Sequence, residues 1–92
     1  MVSSHLQQVV QSAARDFDVT AVWLFGSALQ DEAMARDIDL AVEGLPQERF
    51  FDFYGRLYFN LPKPVDLVDL SQNPPIAPIV RAKGMRIYER RS

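Results

Sequence analysis

The sequence predicts one small α/β domain, and three observations carry that reading. Short apolar runs (Val22 to Phe25, Ile38 to Val42, Val65 to Leu70) alternate with segments whose apolar residues recur at helical spacing. The 92 residues are enough for one modest core. Hydrophobic content of 48% and charged content of 24% are globular values, and no repeat, linker or low-complexity tract divides residues 1–92.

A first helix is expected from about Ser4 to Phe17, capped by Ser3 or Ser4. Leu6, Val9, Val10, Ala13, Ala14 and Phe17 form its apolar stripe. His5, the only histidine, falls at the helix start and is assigned to the surface. Val19 to Phe25 reads as a strand, apolar enough to be central. Ala28 to Ala35 is helix-prone, Arg36 to Val42 is a second strand, and Glu43-Gly44-Leu45-Pro46 is its exit turn.

Pro46 is placed at the first turn of a third helix, over residues 46–60, where proline is tolerated. Phe50, Tyr54, Leu57 and Leu61 form its core stripe, while Phe51, Phe53, Tyr58 and Phe59 fall outside it. A helix apolar on more than one face marks a partner surface, or one wrapped by the chain's own loops and tails. Val65 to Leu70 is the third strand, and Asn73-Pro74-Pro75 ends it. Ile76 to Lys83 is a short helix with Gly84 at its C′ position, and Met85 to Glu89 is a last edge strand.

The chemistry is concentrated around two of these strands. Side chains alternate faces along a strand, so Asp37 and Asp39 are expected on one face with Cα atoms roughly 6.5–7 Å apart. Ile38, Leu40 and Val42 point the other way and anchor the acids. Two such carboxylates suit Mg²⁺, which takes one or two protein carboxylates, water and substrate phosphate. Before them, the strand ending at Phe25 runs into Gly26-Ser27. Gly26 lets backbone approach a ligand closely, and Ser27 falls where a helix begins, so free N–H groups there can meet an anion. Phosphate and Mg²⁺ brought together are what phosphoryl or nucleotidyl transfer requires. A third carboxylate would complete such a site and help deprotonate an attacking hydroxyl. The third strand offers Asp66 and Asp69, which face opposite sides, and spacing does not choose between them.

Phe25-Gly26-Ser27, Asp37-Ile38-Asp39-Leu40 and Val65-Asp66-Leu67-Val68 together resemble the minimal nucleotidyltransferase (MNT) domain of the DNA polymerase beta superfamily. Its pattern is a Gly-Ser pair, about ten residues, D-x-D, then a later carboxylate on a neighbouring strand. The resemblance runs from about Ala21 to Leu70. It implies a mixed β-sheet packed with helices, and Mg²⁺-dependent transfer of a nucleoside monophosphate, AMP from ATP, to an acceptor. By position, Gly26 and Ser27 would hold the triphosphate. Asp37, Asp39 and Asp66 would bind two Mg²⁺ ions and act in catalysis, Asp66 matching the third carboxylate better than Asp69. Domains of this type are often antitoxins of a HEPN toxin, an RNase, and some transfer AMP to a toxin tyrosine. Such a partner, or a homo-oligomer, would use the aromatic helix 46–60.

Two features depart from the pattern. Nine residues separate Ser27 from Asp37, and Gln30-Asp31 stand where the family often has Arg-Gly. Asp31 and Glu32 would repel phosphate, and Arg36 is the cation expected to compensate and contact the nucleotide. The second reading is therefore a catalytically degenerate module that neutralises its partner by contact.

Composition narrows the rest. With no cysteine there is neither a disulfide framework nor a thiolate metal site. No apolar run is long enough for a membrane span, and the start of the chain lacks signal-peptide character, so a cytoplasmic protein is expected. A net charge of −2 argues against direct DNA binding by the whole surface. Half of the basic residues, Arg81, Lys83, Arg86, Arg90 and Arg91, lie near the C-terminal end, as a solvated tail or a docking patch.

Overall fold

Four strands form one mixed sheet in the order β3-β2-β1-β4. They are β1 (Ala21–Phe25), β2 (Ile38–Glu43), β3 (Val65–Asp69) and β4 (Met85–Glu89). The computed structural model describes residues 2–91, so Met1 and Ser92 of the expected 1–92 domain lie outside the described residues. β1 is antiparallel to both β2 and β4, whereas β2 and β3 run parallel. β1 is central, as its apolar run predicts, and β4 is an edge.

The helices are α1 (Ser4–Asp16), α2 (Ser27–Gln30), α3 (Phe50–Tyr58) and α4 (Ala77–Lys83). Strand alternation divides the core in two. Val22, Leu24, Ile38, Leu40, Val42 and Val65 pack with Leu6, Val10, Phe53 and Leu57, so α1 and α3 cover one face. Ala21, Trp23 and Ala41 pack with Ala77 and Val80 of α4 on the other.

α1 begins where its cap dictates. The Ser3 hydroxyl accepts from Leu6 N–H at 3.1 Å, and it donates to Glu32, whose carboxylate also accepts from Ser3 N–H. His5 is exposed and touches the Asn60 carbonyl.

Several expected boundaries shift. α2 stops after one turn at Gln30 instead of reaching Ala35. The chain leaves the helix at Asp31, whose backbone is extended (φ −153°, ψ 94°), and the Lys63 ammonium donates to the carbonyls of Glu32, Ala33 and Ala35 in the segment that follows. β2 starts at Ile38, so Asp37 precedes the strand. Pro46 lies before a 3₁₀ turn, Gln47–Arg49, which leads into α3 at Phe50.

Phe53 corrects the core stripe assigned to α3. It is fully buried, edge-on to Phe17 with ring centroids 5.2 Å apart, while Phe50 and Tyr54 are only half-buried. Phe51, Tyr58 and Phe59 stay exposed as expected. Gly84 is not a left-handed cap, since its φ is −73°. A Cβ there would sit 2.6 Å from the Val80 carbonyl of α4 itself and 3.3 Å from the Leu24 carbonyl of β1, so the turn of the chain out of α4 excludes a side chain. No helix among the described residues is long and apolar enough to cross a membrane.

Candidate active site

The strand register decides between Asp66 and Asp69. In the parallel β2–β3 pair Asp39 lies beside Asp66, and Val42 beside Asp69. Side-by-side residues of a parallel pair project from the same face. Asp39 and Asp66 therefore share the α4 face, while Asp69 lies on the face of the buried Val42. Asp69 is used locally: its carboxylate accepts from Ser71 N–H at 3.0 Å and caps the 3₁₀ turn Leu70–Gln72.

Asp37, one residue before β2, is exposed, as is Asp66. Asp39 is half-buried. Burial raises its pKa above the ordinary 3.8, and the negative charges of Asp66 and then Asp37 push it the same way. Both neighbouring carboxylates thus act on Asp39.

Gly26 is bound to this arrangement by space. β1 pairs Phe25 with Asp39, which brings the turn after Phe25 over the Asp39 side chain. Gly26 takes φ +73° and ψ −155°, a combination reserved for glycine, and a Cβ there would overlap the Asp39 carboxylate. The Gly26 backbone and the Asp39 carboxylate are therefore one packed unit. Gly26, not Ser27, is the residue flanking the helix. Ser27 is the exposed first residue of a single turn, too short for much of a helix dipole.

An open cleft of about 330 Å³ lies over the unit. Its lining is polar at Gly26, Gln30, Asp39 and Lys83 and apolar at Phe25, Leu29, Ile76 and Ile79. Of the six residues singled out in the sequence, this cleft gathers Gly26 and Asp39, with Asp66 beside Asp39. Arg36 is exposed and does not line it. The acids expected to repel phosphate are turned elsewhere: Glu32 to Ser3, and Asp31 to Met34 N–H at 3.3 Å. Lys83, read in the sequence only as part of the C-terminal basic run, lines this cleft because α4 packs on β1.

Carboxylate oxygens are hard donors that suit the expected Mg²⁺. Among the described residues, no three acidic or histidine side chains stand close enough to hold an ion by themselves. The set fits a cation that draws its other ligands from water and phosphate, and does not fit a closed protein cage.

Comparison with known proteins places the arrangement. No curated protein matches the chain in sequence. Solved structures similar in fold include a MntA–HepT toxin–antitoxin complex (22% identity, TM-score 0.69, covering 96% of this chain and 74% of the other). Another is a toxin–antitoxin complex with AMP-PNP (23%, TM-score 0.69, 92% and 74%). A third is the tri-AMPylated Shewanella oneidensis HEPN toxin in complex with its MNT antitoxin (25%, TM-score 0.63, 91% and 73%). The family described as polymerase beta, nucleotidyltransferase, matches residues 7–92. With its Gly-Ser turn, D-x-D strand and mixed sheet, this chain belongs to the polymerase beta nucleotidyltransferase family.

Proposed function

We propose that this protein transfers AMP from ATP to a hydroxyl group of a HEPN-type toxin partner, as the antitoxin of a toxin–antitoxin pair. The observation that carries the reading is the packing of Gly26 against Asp39 with Asp66 in register beside it. The solved complexes of similar fold, one with AMP-PNP and one with an AMPylated toxin, favour the choice of nucleotide and acceptor.

In this reaction the acceptor oxygen attacks the α-phosphorus of ATP, the bond to the α,β-bridging oxygen breaks, and pyrophosphate leaves. Asp66 is the carboxylate assigned to take the hydroxyl proton. Asp37, Asp39 and Asp66 would hold Mg²⁺, which when bound neutralises charge on the attacking and leaving oxygens. Gly26 and Ser27 present backbone to the triphosphate, and Gly26 does so without a Cβ in the way.

The test is to incubate the protein with labelled ATP, Mg²⁺ and the HEPN partner. Label should pass to the partner, and Asp39→Ala should abolish the transfer. A partner that stays unlabelled, yet is neutralised equally by wild type and by Asp37→Ala and Asp39→Ala variants, would overturn the proposal. That result would favour a degenerate binding module.

A further inference from the structure

Three of the basic residues near the C-terminal end are already paired. Arg81 meets Glu43 at 3.6 Å, Arg86 meets Glu89 at 3.3 Å, and Arg90 meets Asp18 at 3.4 Å. They do not make one free patch. Lys83 differs from them. It has no carboxylate within 4 Å and no side-chain hydrogen bond among the described residues, and it is the only cationic side chain lining the cleft above Asp39. Its place follows from packing: Ala77 and Val80 bury one side of α4 against Trp23.

The cleft therefore has two kinds of lining. One offers an exposed ammonium and the Cβ-free backbone of Gly26 next to a carboxylate. The other kind of lining is apolar, from Phe25 and Leu29 around the β1–α2 turn and Ile76 and Ile79 at α4. Ile79 is 57% exposed, an apolar cost with no partner in the chain. A nucleoside triphosphate has the same division, a polyanion joined to a flat, largely apolar base. At about 330 Å³ the cleft is at the small end of ligand sites, large enough for part of such a molecule while the rest stays in solvent.

We propose that Lys83 is the cation that holds the triphosphate, and that Ile76 and Ile79 form the wall against which the nucleobase lies. This deepens the proposed function and rests on it. It assigns to Lys83 the role that the sequence pattern suggested for Arg36.

Calorimetric titration of the protein with ATP and Mg²⁺ tests it. Lys83 and Ile79 are exposed and make no structural hydrogen bond, so their variants should fold. Losing a charge-assisted contact should raise the Kd of Lys83→Ala about tenfold or more, and Lys83→Arg should restore most of it. The weakening of ATP binding by salt should be smaller in Lys83→Ala than in wild type. Ile79→Asn should weaken binding but keep the wild-type salt dependence. Arg36→Ala should bind as wild type. If Lys83→Ala binds ATP within twofold of wild type while wild type transfers AMP, the inference fails and the proposed function stands. A wild-type protein that binds no ATP overturns both.

Discussion

Gly26 and Asp39 are the two residues whose substitution should be most informative. Gly26→Ala forces a side chain into a left-handed, glycine-only conformation and against the Asp39 carboxylate. It should cost about 1–3 kcal/mol of stability in chemical denaturation and weaken ATP binding as well. Asp39 has a pH signature. Its pKa is raised in the folded protein by burial and by its acidic neighbours. Between the unfolded value near 3.8 and the higher folded one, the native state holds more protons than the unfolded state. Stability attributable to Asp39 therefore falls as pH rises through that window. Without metal, Asp39→Asn should melt above wild type at neutral pH, and the advantage should vanish below pH 3.8. If the gain persists in acid, charge is not its cause.

At the scale of elements, the parallel β2–β3 register separates Asp66 from Asp69, and metal-dependent melting can read the separation. A cation that binds only the folded cluster should raise the wild-type Tm, more so with ATP present. Asp66→Asn and Asp39→Asn should lose that response. Asp69→Asn should keep it, because Asp69 faces away and its amide oxygen can still cap Ser71. A wild-type Tm indifferent to millimolar Mg²⁺ and Mn²⁺, with and without ATP, would sink the metal assignment. α3 allows a parallel comparison. Phe53→Ala should destabilise by about 3–5 kcal/mol, since Phe53 is fully buried. Phe51→Ser should cost less than about 0.5 kcal/mol, since Phe51 is 82% exposed.

For the molecule as a whole, the exposed aromatics of α3 are the feature its own core does not use. Phe51, Tyr58 and Phe59 lie on the outside, and the Tyr58 and Phe59 rings meet edge-on at 5.5 Å. Neither loops nor tails among the described residues bury them. The Phe51→Ser, Phe59→Ser double variant should lose association while keeping the wild-type melting temperature. Light scattering reads a homo-oligomer and co-purification reads a HEPN partner. A double variant that still associates normally in both measurements would remove α3 from the interface.

What the sequence determined by itself was local and periodic. The strand and helix alternation, the α1 stripe, a serine cap at Ser3 or Ser4, the Gly-Ser turn and a strand through Asp39 could be read because each depends on residues a few positions apart. The tertiary structure decided what depends on residues far apart in the chain. The β2–β3 register chose Asp66. Lys63, far along the chain, ties down the segment after α2 by donating to three of its carbonyls. Phe53 became core because α3 presents it to Phe17, a neighbour no periodicity reveals. Lys83 reached the cleft because α4 packs on the same sheet face that carries Asp39. Alternation along one strand says which residues share a face, but only pairing between strands and packing between layers says what lies across from them.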